Sequence, residues 1–249
     1  MNKAHQSVFT FELGMPEGKL RTKLRIPGEP MRLSDLARSV LHLDDEIVAM
    51  AVKKHLPVVG PPSCKKGCTS CCDQLVPISI PEAFLMHEIV SAMSNTRQEE
   101  VLTRVVAAEE ILEELGIDAH SLANSGDQSI RQLLVQYHRS GATCAFLEND
   151  ACSIYTSRPA ACREYLVSSP AENCAKVGET IVTRFPISIR MAHALSGVAA
   201  RVLGGEPLLL PLAFAINWAE NNEEIGAQRF DGHMLVNLLL EQLSEKPRS

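Results

Sequence analysis

Apolar and polar positions alternate at the start of the chain. Phe9, Phe11 and Leu13 share one side of residues 8–13, and Leu20, Thr22, Leu24 and Ile26 alternate with Arg21, Lys23 and Arg25 over residues 20–26. A period of two predicts a pair of strands, here a hairpin with an outward basic row. Such a row suits an acidic protein partner, although protection of an edge strand is the plainer reading. The period then lengthens. Leu36, Val40, Leu43 and Ile47 recur at helical spacing between Ser34, the predicted cap, and about His55. Ser79-x-x-Glu82 and Thr96-x-x-Glu99 have the form of capping boxes and predict helices over about 80–94 and 97–115. A further helix runs from Asp127 to Gly141, and three more fall near 187–203, 212–222 and 232–244. Gly204-Gly205 follows a helix and so reads as a stop signal, not a phosphate-binding loop. The expected fold is mainly α, a helical assembly with a small N-terminal β-hairpin. Its expected divisions are residues 1–59 (hairpin and first helix), 60–175 (a cysteine-rich segment) and 176–249 (helices packing on it).

Composition narrows the function classes. The 249 residues are 45% hydrophobic and 22% charged, the profile of a globular protein, and the net charge is −6 with no segment basic enough for a nucleic-acid footprint. No nucleic-acid partner is therefore expected. Acidic residues crowd Glu99, Glu100, Glu109, Glu110, Glu113, Glu114 and Asp118, which reads as a solvated helix face. The most apolar stretch, Pro207–Ala219, is broken by Pro211 and falls short of the ~20 residues a membrane helix needs. No membrane partner is expected either. The first fifteen residues hold no basic start followed by an apolar block, so a cytoplasmic protein is expected.

The cysteines carry the chemistry. All eight lie at Cys64, Cys68, Cys71, Cys72, Cys144, Cys152, Cys162 and Cys174. Disulfide frameworks belong to short exported chains. Four thiols within nine residues, on a Lys/Gly/Thr/Ser background, offer no apolar face for packing. Metal ligation is the favoured reading, ahead of redox disulfide chemistry and of buried thiols. As a helix, the first run would gather its thiols within an arc of about 100°. As a loop containing Gly67, it could wrap a cluster with amide N–H groups aimed at sulfur. Neighbouring Cys71 and Cys72 point apart in most backbones, so they serve different metals, or one ligates while the other supports it. Glu148-Asn149-Asp150 has turn chemistry that folds Cys144 back toward Cys152. Ser157 is a candidate cap for a short helix with Pro159 in its first turn, placing Cys162 near the helix start, where thiolate is favoured. Arg158 and Arg163 are candidates to offset the charge of a thiolate-bound cofactor; capping or pairing at the surface is the equal alternative. Of the histidines, His87 and His138 are the plausible substitute ligands.

The Cys64–Cys72 run, the Cys144-Ala145-Phe146-Leu147 block and the Cys152-x-Ile154-Tyr155-x-x-Arg158-Pro159-x-x-Cys162-Arg163 block together resemble the YkgJ-type cysteine-cluster family, described as zinc- or iron-chelating and named for a CxxCxxCC run. The resemblance spans about residues 60–175. It implies a bacterial intracellular protein whose eight cysteines bind metal, and kinship with flagellin lysine N-methylases, which use an iron–sulfur centre. The first gap here holds three residues, not two, which loosens the assignment of Cys64.

Thiolate sets of this kind suit zinc and iron–sulfur clusters alike. The vicinal pair and the resemblance tilt the expectation toward iron–sulfur, in a binding or electron-transfer role. Cys64-x3-Cys68-x2-Cys71 also has the spacing of radical S-adenosylmethionine enzymes. However, Ser70 stands where an aromatic residue usually precedes the third cysteine, and the strand–helix alternation of a barrel is missing. Methyl transfer with S-adenosylmethionine stays an alternative without a glycine-rich loop behind it, as does a zinc-stapled interaction module.

Overall fold

The computed structural model describes residues 6–27, 30–124 and 127–244. Strands β1 (Ser7–Met15) and β2 (Gly18–Ile26) form the expected antiparallel hairpin, with Phe9 opposite Leu24, Phe11 opposite Thr22 and Leu13 opposite Leu20. Leu13, Leu24 and Ile26 face inward, while Arg21, Lys23 and Arg25 are exposed. Glu12 on the opposing strand takes Lys19 at 3.0 Å and Arg21 at 2.6 Å, so part of the basic row is paired within the hairpin.

Helix α1 (Leu33–Val59) buries the predicted stripe of Leu36, Val40, Leu43 and Ile47. It begins before the expected cap. Arg32 is the N-cap, and its N–H donates to Asp35 three residues on. Ser34 is instead buried in the first turn, its hydroxyl donating to Glu88 of a different helix at 2.6 Å. Gly60, at φ 81°, ends α1, and Pro61-Pro62 cannot continue it.

Short strand β3 (Pro77–Ser79) pairs with β6 (Leu209–Pro211) and leads into α2 (Ile80–Ser91). The Ser79–Glu82 capping box forms as expected. The Thr96–Glu99 box does not, because α3 (Asn95–Glu114) starts earlier, at N-cap Ser94. Next come α4 (Ser121–Asn124), α5 (Asp127–Arg139), the hairpin of β4 (Leu147–Glu148) and β5 (Ala151–Cys152), and α6 (Ala160–Glu164). Helices α7 (Met191–Leu203), α8 (Ala215–Glu220), α9 (Glu223–Gly226) and α10 (Gly232–Ser244) complete the chain. Left-handed Gly204, at φ 73°, stops α7, the role read from the sequence.

The fold is mainly helical with an N-terminal β-hairpin. One core runs from Leu13 on β1 through Leu36, Phe84 and Val105 to Leu195 and Leu239, joining residues of all three stretches of chain. Trp218 on α8 packs against Phe84 of α2 with ring centroids 5.5 Å apart, a core contact. Among the described residues no helix is long and apolar enough to cross a membrane.

The acidic face of α3 contains an exception. Glu109 is buried: Asn217 donates to one carboxylate oxygen, and the other has no partner. Burial, reinforced by repulsion from Glu113 and Glu220, pushes its pKa up to about 7. Between the ordinary carboxylate value and about 7 the folded state binds a proton that the unfolded chain has lost, so stability falls as pH rises through that window. Glu109→Gln is therefore expected to be more stable than the parent at pH 8, by about 1–3 kcal/mol, and equal to it near pH 4. Urea unfolding at the two pH values checks this, and a gain of the same size at both would contradict it.

Candidate metal centre

The first cysteine run is a succession of turns. Cys68 N–H donates to Lys65 C=O at 2.9 Å, Cys72 N–H to Thr69 C=O at 2.9 Å and Gln74 N–H to Cys71 C=O at 3.2 Å, with Gly67 at φ 89° in the first of these turns. Of the two conformations open to the run, this is the loop. Backbone and side-chain bonds then fasten it to the distant cysteines. Cys144 N–H donates to Cys72 C=O at 2.7 Å, Ser63 N–H to Val167 C=O at 2.8 Å, and the Gln74 amide to Cys174 C=O at 2.8 Å.

The Asn149-Asp150 turn takes up positive φ at both central residues, 48° and 55°, as a tight two-residue hairpin requires. It places Leu147 opposite Cys152, so Cys144 and Cys152 lie close enough to influence each other's ionisation. Helix α3 holds this hairpin from outside: Arg104 donates to Ala145 C=O at 2.7 Å and pairs with Glu148 at 3.0 Å. Ser157 does not cap α6. It belongs to a 3₁₀ turn over Tyr155–Ser157, and Pro159 is the N-cap. The cap is supplied from outside the segment, since Glu82 of α2 accepts the Ala160 N–H at 2.8 Å.

Backbone amides point at sulfur. Val167 N–H donates to Cys64 Sγ at 3.5 Å, and the N–H groups of Phe146 and Ile154, each two residues after a cysteine, stabilise the thiolates of Cys144 and Cys152. Even so, the thiols resist ionising as a group. Burial, with repulsion from Cys152 and Cys71, pushes Cys144 up to about 11. Burial, with repulsion from Cys71 and Cys64, does the same for Cys174, also to about 11. Cys162 is raised by burial and then by Cys144, Cys71 and Cys152, and Cys64 by burial and then by Cys68 and Cys71. Cys71 is held far above the ordinary thiol range, first because its proton is shared with Cys72 and then by burial. A bound cation inverts this electrostatics, because it stabilises the thiolates that otherwise repel one another.

Cys71 thus influences the ionisation of thiols on both sulfur-bearing stretches. Among the described residues no three Cys, His, Asp or Glu side chains are drawn into a geometry that holds a single ion. The fit of these residues to a metal rests on the all-thiol donor set and on the amides aimed at it, both suited to a soft or polynuclear centre.

The two arginines part company. Arg158 lies near enough to favour the thiolates of Cys64, Cys152 and Cys162, and its guanidinium stacks 4.2 Å from the Tyr155 ring. Arg163 is turned into the core, 4% exposed. Its donors are taken by Asp45 at 2.6 Å, Arg158 C=O at 2.9 Å and Thr156 C=O, which commits it to bracing the loop. His138 Nδ1 sits 3.0 Å from Asp73 beside Cys72, and His87 lies 3.8 Å from Glu220. Arg104 and Glu82 carry no sequence signal for their work here, since their partners lie 41 and 78 residues away.

Backbone amides at three of the sulfurs and one inward-facing arginine brace the segment that carries the cysteines. Residues 63–180 match the family model CxxCxxCC, a "Putative zinc- or iron-chelating domain", the cysteine-cluster family that the three motif blocks resemble. Comparison with curated proteins and with solved structures gives no match.

Proposed function

We propose that Cys64, Cys68, Cys71, Cys72, Cys144, Cys152, Cys162 and Cys174 hold an iron–sulfur centre serving a binding or electron-transfer role in the cytoplasm. The observation that carries this reading is the fastening of the first cysteine run to the later cysteines, Cys144 N–H to Cys72 C=O at 2.7 Å and the Gln74 amide to Cys174 C=O at 2.8 Å, with Cys71 close enough to raise the pKa of Cys64, Cys144, Cys152, Cys162 and Cys174. The amide N–H groups aimed at sulfur favour iron–sulfur over plain zinc stapling, because such bonds tune a cluster's potential. Arg158 adds a fixed positive charge beside thiolates. Residues 60–175 form the metal-binding unit, with the hairpin, α1 and the C-terminal helices as its support.

Anaerobic purification followed by elemental analysis and a visible spectrum tests the reading. Iron with acid-labile sulfide and broad absorption near 400 nm is the expected result, bleached by dithionite. Stoichiometric zinc in a colourless protein would replace it with the stapled-module reading, and neither metal would end both.

A further inference from the structure

Beside the cysteines lies a cavity of about 420 Å³, within the range of small-molecule sites. Cys71 and Cys162 line it together with an apolar wall that includes Ile130 and Leu134 of α5 and Leu209 of β6. Its polar lining holds three basic side chains, Arg184, Arg190 and, in the first turn of α7, His193, with one acid, Glu164, beside Gln74 and Tyr165.

The charges on that wall are unbalanced. Arg190 pairs with buried Glu164 at 3.2 Å, and the other oxygen of Glu164 accepts the Met191 N–H at 2.7 Å, so this carboxylate is fully used. Arg184 stacks 4.6 Å from the Tyr165 ring, and among the described residues no carboxylate reaches it in an ion pair. Its pKa is lowered by desolvation and then by repulsion from Arg190, with Tyr165 and Glu164 opposing the shift only in part. The same two causes lower that of His193. Two guanidinium groups held near one another with a single, already committed acid favour an added anion. The apolar remainder of the wall favours a hydrocarbon body attached to it.

We propose that this cavity binds a small apolar carboxylate, its charged end at Arg184 and Arg190 and its hydrocarbon body against Ile130, Leu134 and Leu209. The proposal deepens the metal-centre reading, on which it rests for its chemical meaning: a ligand so placed lies against Cys71 and Cys162. Binding itself requires only the cavity and its arginines.

Isothermal titration of the purified protein with octanoate, with 1-octanol as the uncharged control, tests it. Octanoate should bind at least about tenfold more tightly than octanol, the value of one charge-assisted hydrogen-bonded pair. Arg184→Ala should abolish that preference, and Leu134→Trp, which fills the cavity, should weaken both ligands. Equal binding of the two ligands, an Arg184→Ala protein that keeps the preference, or inorganic phosphate competing as well as octanoate would each overturn the proposal. Elemental analysis of the same preparation separates the two ideas. Octanoate selectivity in protein lacking iron and zinc would leave the cavity assignment standing and sink the metal centre, whereas a loaded protein without selectivity would do the reverse.

Discussion

Cys71→Ala is expected to strip the protein of at least half its metal and to lower its melting temperature by roughly 10 °C or more, the largest loss of any single cysteine substitution. The reason lies in where its sulfur sits. The thiols of Cys64, Cys144, Cys152, Cys162 and Cys174 each feel Cys71, and Cys72 shares its proton. If the proposed centre is held as above, removing Cys71 takes away the one donor that influences thiols of both stretches. Ligation free energy is folding free energy when the site does not exist in the unfolded state, so losing even about 3 kcal/mol of it corresponds to roughly 10 °C in a chain of this size.

The same substitution in chelated protein should cost no more than about 1–2 kcal/mol, because an unbound thiol behaves there as a small apolar group. The contrast between loaded and chelated protein, read by thermal unfolding beside metal analysis, isolates the metal's contribution. Full metal content in Cys71→Ala, or equal destabilisation with and without chelator, would show that Cys71 is only a packing residue.

Local chemistry was readable in advance, and long-range chemistry was not. The N-terminal hairpin announces itself by strict alternation, the stripe of α1 by its spacing, and the Asn149-Asp150 turn by residues that tolerate positive φ. Ser34 reads as a cap because serine favours that position, yet its hydroxyl donates to Glu88, 54 residues away. Arg158 and Arg163 flank the same motif and look alike as counter-charges. Only the folded chain shows that Asp45, 118 residues distant, draws Arg163 inward while Arg158 stays beside the sulfurs. Glu109 reads as one more solvated acid until α8 places Asn217 over it. At the centre, spacing leads one to expect thiols to gather within each run. The meeting of the two runs depends on the Cys144 N–H and Cys72 C=O bond and on the Arg104 clamp, neither of which leaves a periodic trace.

Glu82 shows how a local motif can hold a distant element, and Glu82→Ala is expected to cost about 2–5 kcal/mol, since several buried donors are left without an acceptor at about 1–3 kcal/mol each. The carboxylate is 2% exposed. One oxygen accepts the Ser79 N–H at 2.9 Å and the Ser79 hydroxyl at 2.7 Å, closing the cap of α2, and the other accepts the Ala160 N–H at 2.8 Å at the start of α6. Alanine leaves all three donors unpaired in a dry interior, and α6, only Ala160–Glu164 long, loses the cap that sets the position of Cys162.

Glu82→Gln separates the two duties. Its amide oxygen can keep the Ser79 bonds, but its NH2 then faces the Ala160 N–H, donor against donor, so the cap survives and the tether to α6 does not. That variant should cost about 1–3 kcal/mol. Burial raises the pKa of Glu82, so the parent loses stability as pH rises above the ordinary carboxylate value while the glutamine variant does not. The gap between them should therefore narrow from pH 5 to pH 8. Urea unfolding of both variants across that range, with hydrogen exchange at residues 160–164, measures cap and tether independently. Wild-type protection of α6 in Glu82→Gln would mean that the helix is held by packing and that the Ala160 bond contributes nothing to the placement of Cys162.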